Sequence, residues 1–263
     1  MVHHWATNGE PPTDVENLAR WCRRPVIIKV MAGIVSVVSL KGGAAKTTTA
    51  VHLVGRIRER YPTAPLLAVD CDAQNHLSRW LGEAADDVHV ERVTDNEQLL
   101  VQLPLWAADL DLTDEAVTAP GFIVCDVAGG DSELARAAML RSDVVVVPCS
   151  PSLMDLDSAG ATYAAVALVR DILGQDRPTM VFLPVRMTRT RVGAEVLQSL
   201  AEFEELIAEP AVPQRTAVAD AFGQGRFCWD MPNAGDVGDL MRASSDFVLE
   251  VLQKAGNHVG GDE

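Results

Sequence analysis

Five short apolar runs, each bounded by turn residues, constrain the fold of this chain more than any other feature. They lie near residues 34–39 and at Leu66–Asp70, Phe122–Cys125, Val144–Val147 and Met180–Leu183. Helical stretches follow them, the first predicted from Lys46 to Arg60. Strands that are apolar on both faces are typical of a parallel sheet covered by helices. We therefore predict a doubly wound α/β domain with a mostly parallel sheet, in which ligands bind beyond the carboxyl ends of the strands.

The first apolar run leads into a glycine-containing turn that carries two of the chain's four lysines. Its sequence is Lys41-Gly42-Gly43-Ala44-Ala45-Lys46-Thr47-Thr48. Glycines allow successive backbone N–H groups to point at an anion, and a helix that starts near Lys46 adds its positive end. We expect Lys46 to contact the outer phosphates of a nucleotide and Thr47 to offer its hydroxyl to Mg²⁺. The alternative is an ordinary glycine turn, in which the Lys-Thr pair would have no packing purpose.

Acidic residues stand where two other predicted strands end. Asp126 follows four apolar residues, while Asp70 and Asp72 alternate at the end of the second strand and therefore leave the extended chain on opposite faces. Such carboxylates can hold Mg²⁺, usually through water, or orient a water molecule at a terminal phosphate. Solvated loop acids are the alternative interpretation.

Composition limits the classes of function. The 263 residues are 48% apolar and 22% charged, which indicates a globular protein. A net charge of −15 argues against nucleic-acid binding by the whole surface, so any such contact needs a local patch. The best candidate contains Arg186, Arg189 and Arg191, since no acidic residue lies between Arg177 and Glu195. The chain has no apolar run long enough to span a membrane and no secretory core, so we expect a soluble, cytoplasmic protein.

The five cysteines are widely scattered and show no metal-binding spacing, so we expect buried small hydrophobic residues. Residues 1–30 are polar and contain one helical candidate from Asp14 to Arg24. We interpret them as an extension that is flexible or reflects a wrongly assigned translation start near Met31. The functional domain is then predicted over residues 31–255, with a flexible tail over residues 256–263.

Together these segments resemble the ParA/MinD-type ATPases. The turn from Lys41 to Thr48 resembles their deviant Walker A motif, and the segment from Asp70 to Gly82 resembles their DxDPQxxLTxxLG pattern. Three further segments are similar to the short ParA partition proteins that lack an N-terminal helix-turn-helix domain: Val144–Asp157, Leu183–Arg186 and Gln214–Gly225. The resemblance covers about residues 31–253.

The resemblance implies a P-loop NTPase fold that binds ATP and Mg²⁺ and hydrolyses ATP slowly in a face-to-face homodimer. Lys41 would be the signature lysine that reaches the partner's nucleotide, and Asp72 would position the attacking water. The nucleotide would be bound by Gly42, Gly43, Ala44, Ala45, Lys46, Thr47, Thr48 and Arg186, and the metal by Thr47, Asp70 and Asp126.

Three positions depart from the family pattern. Ala45 stands where the family usually has Gly, so its backbone avoids strain only at a negative φ. Ala73 replaces the usual Pro, and Val127-Ala128-Gly129-Gly130 replaces the common Thr-Pro-Pro, so we expect more mobile switch loops. None of the three removes a charged group from the predicted site.

By this resemblance the leading hypothesis is a nucleoid-associated partition or positioning ATPase. Its ATP-bound dimer would bind DNA without sequence preference until a ParB-like partner stimulates hydrolysis. Arg186, Arg189, Arg191, Arg215 and Arg226 are the candidate phosphate contacts, although solvated or salt-bridged arginines are the alternative.

Other functions remain open at this point. A MinD-like membrane factor needs a basic amphipathic C-terminal helix, whereas the helix predicted at Ser244–Lys254 carries Asp246 and Glu250 with one lysine, so we expect no stable membrane association. An iron-protein relative would need two suitably placed cysteines, for which Cys125 and Cys149 are the candidates. An ATP-dependent scaffold with weak hydrolysis is a further possibility.

Overall fold

The computed structural model describes residues 32–111, 120–130 and 132–257. In these ranges seven strands form one sheet in which every neighbouring pair is parallel, in the order β3-β2-β4-β1-β5-β6-β7. The strands are β1 (Gly33–Val37), β2 (Leu66–Cys71), β3 (His89–Arg92), β4 (Phe122–Val127), β5 (Val144–Cys149), β6 (Thr179–Pro184) and β7 (Leu206–Ile207). The predicted doubly wound α/β fold is confirmed.

Eight α-helices and one short 3₁₀ turn, Cys228–Asp230, lie within the same described ranges. The helices are α1 (Lys46–Arg60), α2 (His76–Ala84), α3 (Asn96–Asp111), α4 (Glu133–Arg141), α5 (Leu153–Leu173), α6 (Arg191–Ala201), α7 (Thr216–Gly223) and α8 (Val237–Asn257). The first helix has the bounds that the sequence predicts. The predicted Asp14–Arg24 helix, the extension over residues 1–30 and residues 258–263 lie outside the described residues.

Helices cover both faces of the sheet, because the strands alternate their side chains between two apolar layers. Val35 and Val37 of β1 point to the layer formed with α1, α2, α7 and α8, whereas Ile34 points to the layer formed with α3, α4, α5 and α6. Both layers consist mainly of aliphatic side chains, most of them almost fully buried. Burial on both faces explains why the central strands are continuous apolar runs in the sequence.

The order of the strands creates a crevice at the carboxyl edge of the sheet. The strand β1 lies at the centre of the sheet, with β4, β2 and β3 on one side of it and β5, β6 and β7 on the other. Loops that leave neighbouring strands diverge at such a switch point and leave room for a ligand. The turns after β1, β2 and β4 therefore meet at one site.

Candidate functional site

The turn after β1 is a phosphate-binding loop in its geometry. Gly43 has φ 77° and Ala45 has φ 62°, and α1 begins directly afterwards at Lys46 without a side-chain cap. The first N–H groups of an uncapped helix are available to an anion, which the positive end of the helix dipole also favours. The loop lies between β1 and α1, as predicted, and its backbone N–H groups could donate hydrogen bonds to phosphate oxygens.

Ala45 adopts the conformation that the sequence analysis treats as strained. Its φ of 62° lies in the left-handed region, which a glycine adopts without steric cost but a residue with a Cβ does not. Its methyl group packs against the buried residues beneath α1, and its carbonyl accepts the hydrogen bond from the Thr49 N–H at 2.9 Å. The requirement for a negative φ is therefore not met, and local packing holds the alanine in place.

Lys46 braces the loop from inside. Its ammonium donates a hydrogen bond to the Lys41 carbonyl at 3.1 Å, and the residue is 8% exposed. Burial lowers the pKa of Lys46, while the negative charges of Asp126 and Asp72 oppose that shift. A buried ammonium beside an open loop is suited to bind an anion that replaces part of its lost hydration.

Thr47 and Asp126 form the second part of the site. The Thr47 hydroxyl donates a hydrogen bond of 2.6 Å to Oδ2 of Asp126, which is 2% exposed at the end of β4. Burial raises the pKa of Asp126 to about 7, against the hydrogen bond from Thr47, and the nearby Asp70 raises it further. A cation beside this carboxylate would favour its ionised form.

These two residues fit Mg²⁺, which prefers oxygen ligands and is usually held by one or two protein groups together with substrate phosphates. No cluster of three or more acidic, histidine or cysteine side chains suited to hold a metal alone occurs among the described residues. A metal at this position would accordingly depend on the phosphates of a bound nucleotide.

Asp70 has a different surrounding from the one that a metal ligand needs. It is fully buried, and Oδ2 accepts hydrogen bonds from the N–H of Ser78 at 2.9 Å and from its hydroxyl at 2.7 Å. Oδ1 accepts the N–H of Asp72 at 3.2 Å. The predicted metal role of Asp70 gains no support, because its oxygens anchor the start of α2 to the end of β2.

The loops enclose an open cleft of about 540 Å³. The residues that line it are Gly42, Gly43, Ala44, Ala45, Lys46, Thr47, Thr48, Asp72, Gln74, His76, Ala128, Gly129 and Arg186. Asp72 reaches the cleft from the turn after β2, where its Oδ1 accepts the Gln74 N–H at 2.9 Å. The predicted nucleotide-binding residues and Asp72 are thus brought together.

Four residues that line the cleft were not predicted as site residues, namely Gln74, His76, Ala128 and Gly129. A Cβ at Gly129 would lie 3.0 Å from both the Lys41 carbonyl oxygen and the Lys46 ammonium. The glycine therefore permits the loop after β4 to approach the phosphate loop closely. In the sequence, Gly129 could have been found by its position shortly after the strand that contains Asp126. The sequence alone does not show that it packs against Lys41 and Lys46.

Lys41 does not point freely into solvent. Its ammonium is ion-paired with Asp155 at the start of α5 in the same chain. Oδ2 of Asp155 also accepts the Ser150 N–H at 3.1 Å, and the Asp155 N–H is capped by the Ser152 hydroxyl. The residue predicted to reach a partner subunit is thus held within its own subunit.

Arg186 lies at the phosphate loop. Its Nη1 donates a hydrogen bond of 2.9 Å to the Gly43 carbonyl, and its backbone has φ 53°. The segment that follows it pairs with the segment before α7, because the Met187 N–H donates to the Val212 carbonyl and the Gln214 N–H to the Met187 carbonyl, each at 3.0 Å. The start of the arginine-containing segment 186–191 therefore lies beside residues 212–214, which directly precede Arg215.

The other candidate arginines have mixed surroundings. Arg189, Arg215 and Arg226 are exposed. Arg191 is paired with Glu195 at 2.7 Å and Arg215 with Asp236 at 3.6 Å. Such exposed pairs are weak and exchange readily with solvent or phosphate. Arg191 and Arg215 are therefore salt-bridged in this structure, which is the alternative to a role in phosphate contact.

The remaining sequence expectations concern the cysteines and the C-terminal helix. Cys71, Cys125, Cys149 and Cys228 are buried, as predicted, and burial raises the pKa of each thiol. Cys22 lies outside the described residues.

The apolar face of α8 packs in the core through Val248, Leu249 and Leu252. None of the described helices has the length and apolar character needed to cross a membrane.

A model of the VirC1 protein family matches residues 32–236 of the chain. Protein ParA of Rhizobium radiobacter is 23% identical over 224 residues, which cover 84% of this chain and 96% of that protein. Protein virC1 of the same organism is 27% identical over 190 residues, which cover 70% of this chain and 76% of that protein.

Two solved structures of McdA from Cyanothece show the same fold. The apo structure has a TM-score of 0.67 at 18% identity and covers 82% of this chain and 99% of that one. The complex with ATP has a TM-score of 0.63 at 17% identity and covers 84% of this chain and 96% of that one. The fold that forms the cleft is therefore one in which a relative binds ATP.

Proposed function

The chain belongs to the VirC1 family of ParA/MinD-type ATPases, and we propose that it is an ATP-dependent switch for positioning DNA. ATP and Mg²⁺ would bind in the cleft and drive formation of a homodimer. The dimer would bind DNA without sequence preference, and slow hydrolysis, stimulated by a ParB-like partner, would release it. The cargo would be a plasmid, a chromosome or a DNA-bound assembly, with the protein at the nucleoid in the cytoplasm.

One observation carries the proposal: two lysines of the same phosphate loop have separate positions. Lys46 is buried beneath the loop, whereas Lys41 lies at its outer side on a carboxylate of the neighbouring helix. A single phosphate cradle needs only the inner lysine. The outer one is available to the phosphates of a second subunit once it leaves Asp155.

The cleft supports ATP as the ligand. The backbone of residues 42–45 and the Lys46 ammonium would bind the phosphates, and Arg186 lies at the outer side of the same loop. Thr47 and Asp126 would hold Mg²⁺, which when bound would neutralise charge on the phosphate oxygens.

Hydrolysis would depend on Asp72. It is the one carboxylate among the residues that line the described cleft, and its negative charge acts on the Lys46 ammonium of the phosphate loop. From this position it could accept a hydrogen bond from a water molecule in line with the terminal phosphate. The same residue is tied to the turn through the Gln74 N–H, which limits its freedom to act as a base. Slow turnover is the expected result.

DNA binding would use the arginines of segments 186–191 and 215–226, of which Arg186 and Arg215 adjoin the paired residues 187 and 212–214. Because the net charge of the chain is −15, one isolated subunit would repel a polyanion over most of its surface. A dimer would double the number of arginines at one surface and thereby convert a weak contact into a useful one. This reasoning supports an affinity for DNA that depends on ATP.

The test is binding of the full chain to random-sequence duplex DNA in ATP-Mg²⁺, in ADP-Mg²⁺ and without nucleotide. We expect tight binding only with ATP, and an affinity that falls steeply as the salt concentration rises. The proposal is wrong if ATP-Mg²⁺ produces no salt-sensitive binding at low ionic strength. ATP-driven dimerisation without DNA binding or phosphate release would indicate a scaffold instead.

A further inference from the structure

Helix α2 connects the cleft with the arginine-containing surface, and we propose that it transmits the state of the nucleotide to Arg226. In this view Trp80 is a positioning residue: it moves the segment after α7 when α2 moves. The inference deepens the proposed function, since it assigns a regulatory path between the ATP site and the proposed DNA-binding surface.

One end of α2 lies at the cleft. His76, the first residue of the helix, and Gln74, two residues before it, both line the cleft. The N-cap residue Asn75 has φ 55° and makes no capping hydrogen bond, and its buried Oδ1 has no hydrogen-bond partner. Left-handed backbone and an unpaired polar atom each cost free energy. The entry to α2 can therefore rearrange at little further cost when a phosphate arrives.

The other end of α2 holds the segment that contains Arg226. The Trp80 indole N–H donates a hydrogen bond of 2.8 Å to the Arg226 carbonyl. One turn further on, Glu83 packs so closely on Gly225 that a Cβ at the glycine would collide with its side chain. These two contacts fix the backbone on both sides of the bond between Gly225 and Arg226.

Aromatic contacts complete the same face of α2. The rings of His76 and Trp80 meet the edge of Phe222 at centroid distances of 5.6 and 5.3 Å, and the Arg79 guanidinium lies 5.6 Å from that ring. Residues 76, 79, 80 and 83 have the spacing of one helix face. This face of α2 therefore contacts the segment 222–226 along its length.

A second helix from the cleft holds the next part of the segment. His52 of α1 is fully buried, and its Nε2 accepts the Cys228 N–H at 3.0 Å. Its Nδ1 donates to the Thr48 carbonyl at 2.6 Å, within the first turn after the phosphate loop. Arg226 and Cys228 are therefore attached to different helices that flank the cleft. Any shift of α2 relative to α1 must change the backbone between these two attachments.

The experiment measures hydrogen–deuterium exchange of residues 222–229 in the full chain, with and without a non-hydrolysable ATP analogue and Mg²⁺. In the wild type we expect the analogue to change exchange in this segment. Trp80→Phe removes the indole donor and keeps an aromatic ring, and Gly225→Ala separates the segment from Glu83. Both should bind the analogue with wild-type affinity but lose the response.

Each variant has a matched control. Trp106→Phe makes the same change on α3, on the other face of the sheet. Gly174→Ala places an alanine at a similar positive φ, 61° against 56°, in open space. Both controls should keep the response. We also compare the DNA affinity of the ATP-bound protein with that of the ADP-bound protein. In the two test variants the ratio of these affinities should fall about tenfold, which is within the usual range of coupling between sites.

Three outcomes would overturn the inference. The first is a wild-type segment whose exchange does not respond to bound analogue, and the second is a wild-type response in the folded Trp80→Phe or Gly225→Ala variant. The third is an equal loss in the controls. If Trp80→Phe fails to fold, Gly225→Ala alone decides. A wild-type response that Gly225→Ala removes, without DNA binding in any nucleotide state, would support the coupling and refute the proposed function.

Discussion

Lys41 and Asp155 form an ion pair within one subunit, between the phosphate loop and the first turn of α5. Although burial acts to raise the pKa of Asp155, hydrogen bonds from Lys41 and Ser150 bring it below its usual value. The pair holds Lys41, the lysine that we propose reaches the partner's nucleotide, on a carboxylate of its own subunit. Dimerisation in the proposed function therefore requires that this contact break.

Asp155→Asn should make ATP-dependent dimerisation easier, because a neutral amide holds the Lys41 ammonium less strongly. We expect half-maximal dimerisation at a protein concentration about tenfold lower, as for the loss of a charged hydrogen bond. Sedimentation velocity with ATP-Mg²⁺ measures it. Asp157→Asn, an exposed neighbour on the same helix, is the control. Unchanged or weaker dimerisation in Asp155→Asn would show that the ion pair does not restrain Lys41.

Ala45→Gly should stabilise the protein or leave it unchanged, unlike most glycine substitutions. Relief of the left-handed alanine gains about 1 kcal/mol, and the greater freedom of glycine in the unfolded chain offsets part of it. Ala44→Gly is the control, since Ala44 is 3% exposed and its φ is not positive. It should lower the free energy of unfolding. Urea unfolding measures both, and a clear loss of stability in Ala45→Gly would contradict the strain.

Thr47→Ala should remove the dependence of nucleotide binding on Mg²⁺. The variant loses the hydroxyl that now donates to Asp126 and that is proposed to bind the metal. We expect the affinity for ATP to be nearly equal with Mg²⁺ and with a chelator. Thr47→Ser keeps the hydroxyl and should behave like the wild type. Retained Mg²⁺ dependence in Thr47→Ala would show that the metal is held elsewhere.

His52 should make the fold sensitive to mild acid. Burial lowers the pKa of His52 from its usual 6.5 to about 4, against the effect of its hydrogen bond to the Thr48 carbonyl. The unfolded chain then binds the proton more readily than the folded one, so stability is complete above pH 6.5 and falls as the pH drops towards 4. Between pH 7 and pH 5 this group alone should cost about 2 kcal/mol of unfolding free energy.

The measurement compares the wild type with His52→Gln in urea at several pH values. The difference between their unfolding free energies isolates His52 from the other titrating groups. It should shrink from pH 7 to pH 5, because only the wild type loses this contribution. A constant difference over that range would mean that His52 is not buried in its neutral form.

The sequence predicts the central part of the fold because its signals there are local. Five of the seven described strands are continuous apolar runs, and α1 follows a turn with clear glycine and lysine positions. The strand β3 was missed because His89–Arg92 is a polar edge strand, and β7 because it has only two residues. Neither leaves a pattern that differs from a loop.

The start of α8 shows a different limit. Its predicted span, Ser244–Lys254, lies inside a helix that begins at Val237, because Gly238 and Asp239 look like turn residues in the sequence. In the fold, a Cβ at Gly238 would lie 2.9 Å from Trp229, so the glycine is required for packing. Such a requirement depends on a contact made in three dimensions.

The sequence predicts most of the residues that form the candidate site, but it does not predict which side chains contact each other there. The motif predicts that Lys41, Lys46, Thr47, Asp72 and Asp126 meet, since they follow neighbouring strands of one sheet. It does not predict that Asp70 anchors Ser78 or that Asp155 holds Lys41, because those pairings join segments 8 and 114 residues apart. Side-chain partners at a shared edge are decided by the loops, whose geometry the motif leaves open.

The central claim, that ATP joins two subunits through Lys41, is tested most directly by the molar mass in sedimentation equilibrium. Two variants are compared in ATP-Mg²⁺. The single variant Asp72→Ala should bind ATP without hydrolysing it, and the double variant Asp72→Ala, Lys41→Ala also lacks the outer lysine. We predict a dimer for the first variant and a monomer that still binds ATP for the second. A dimer of equal strength in both would contradict the account.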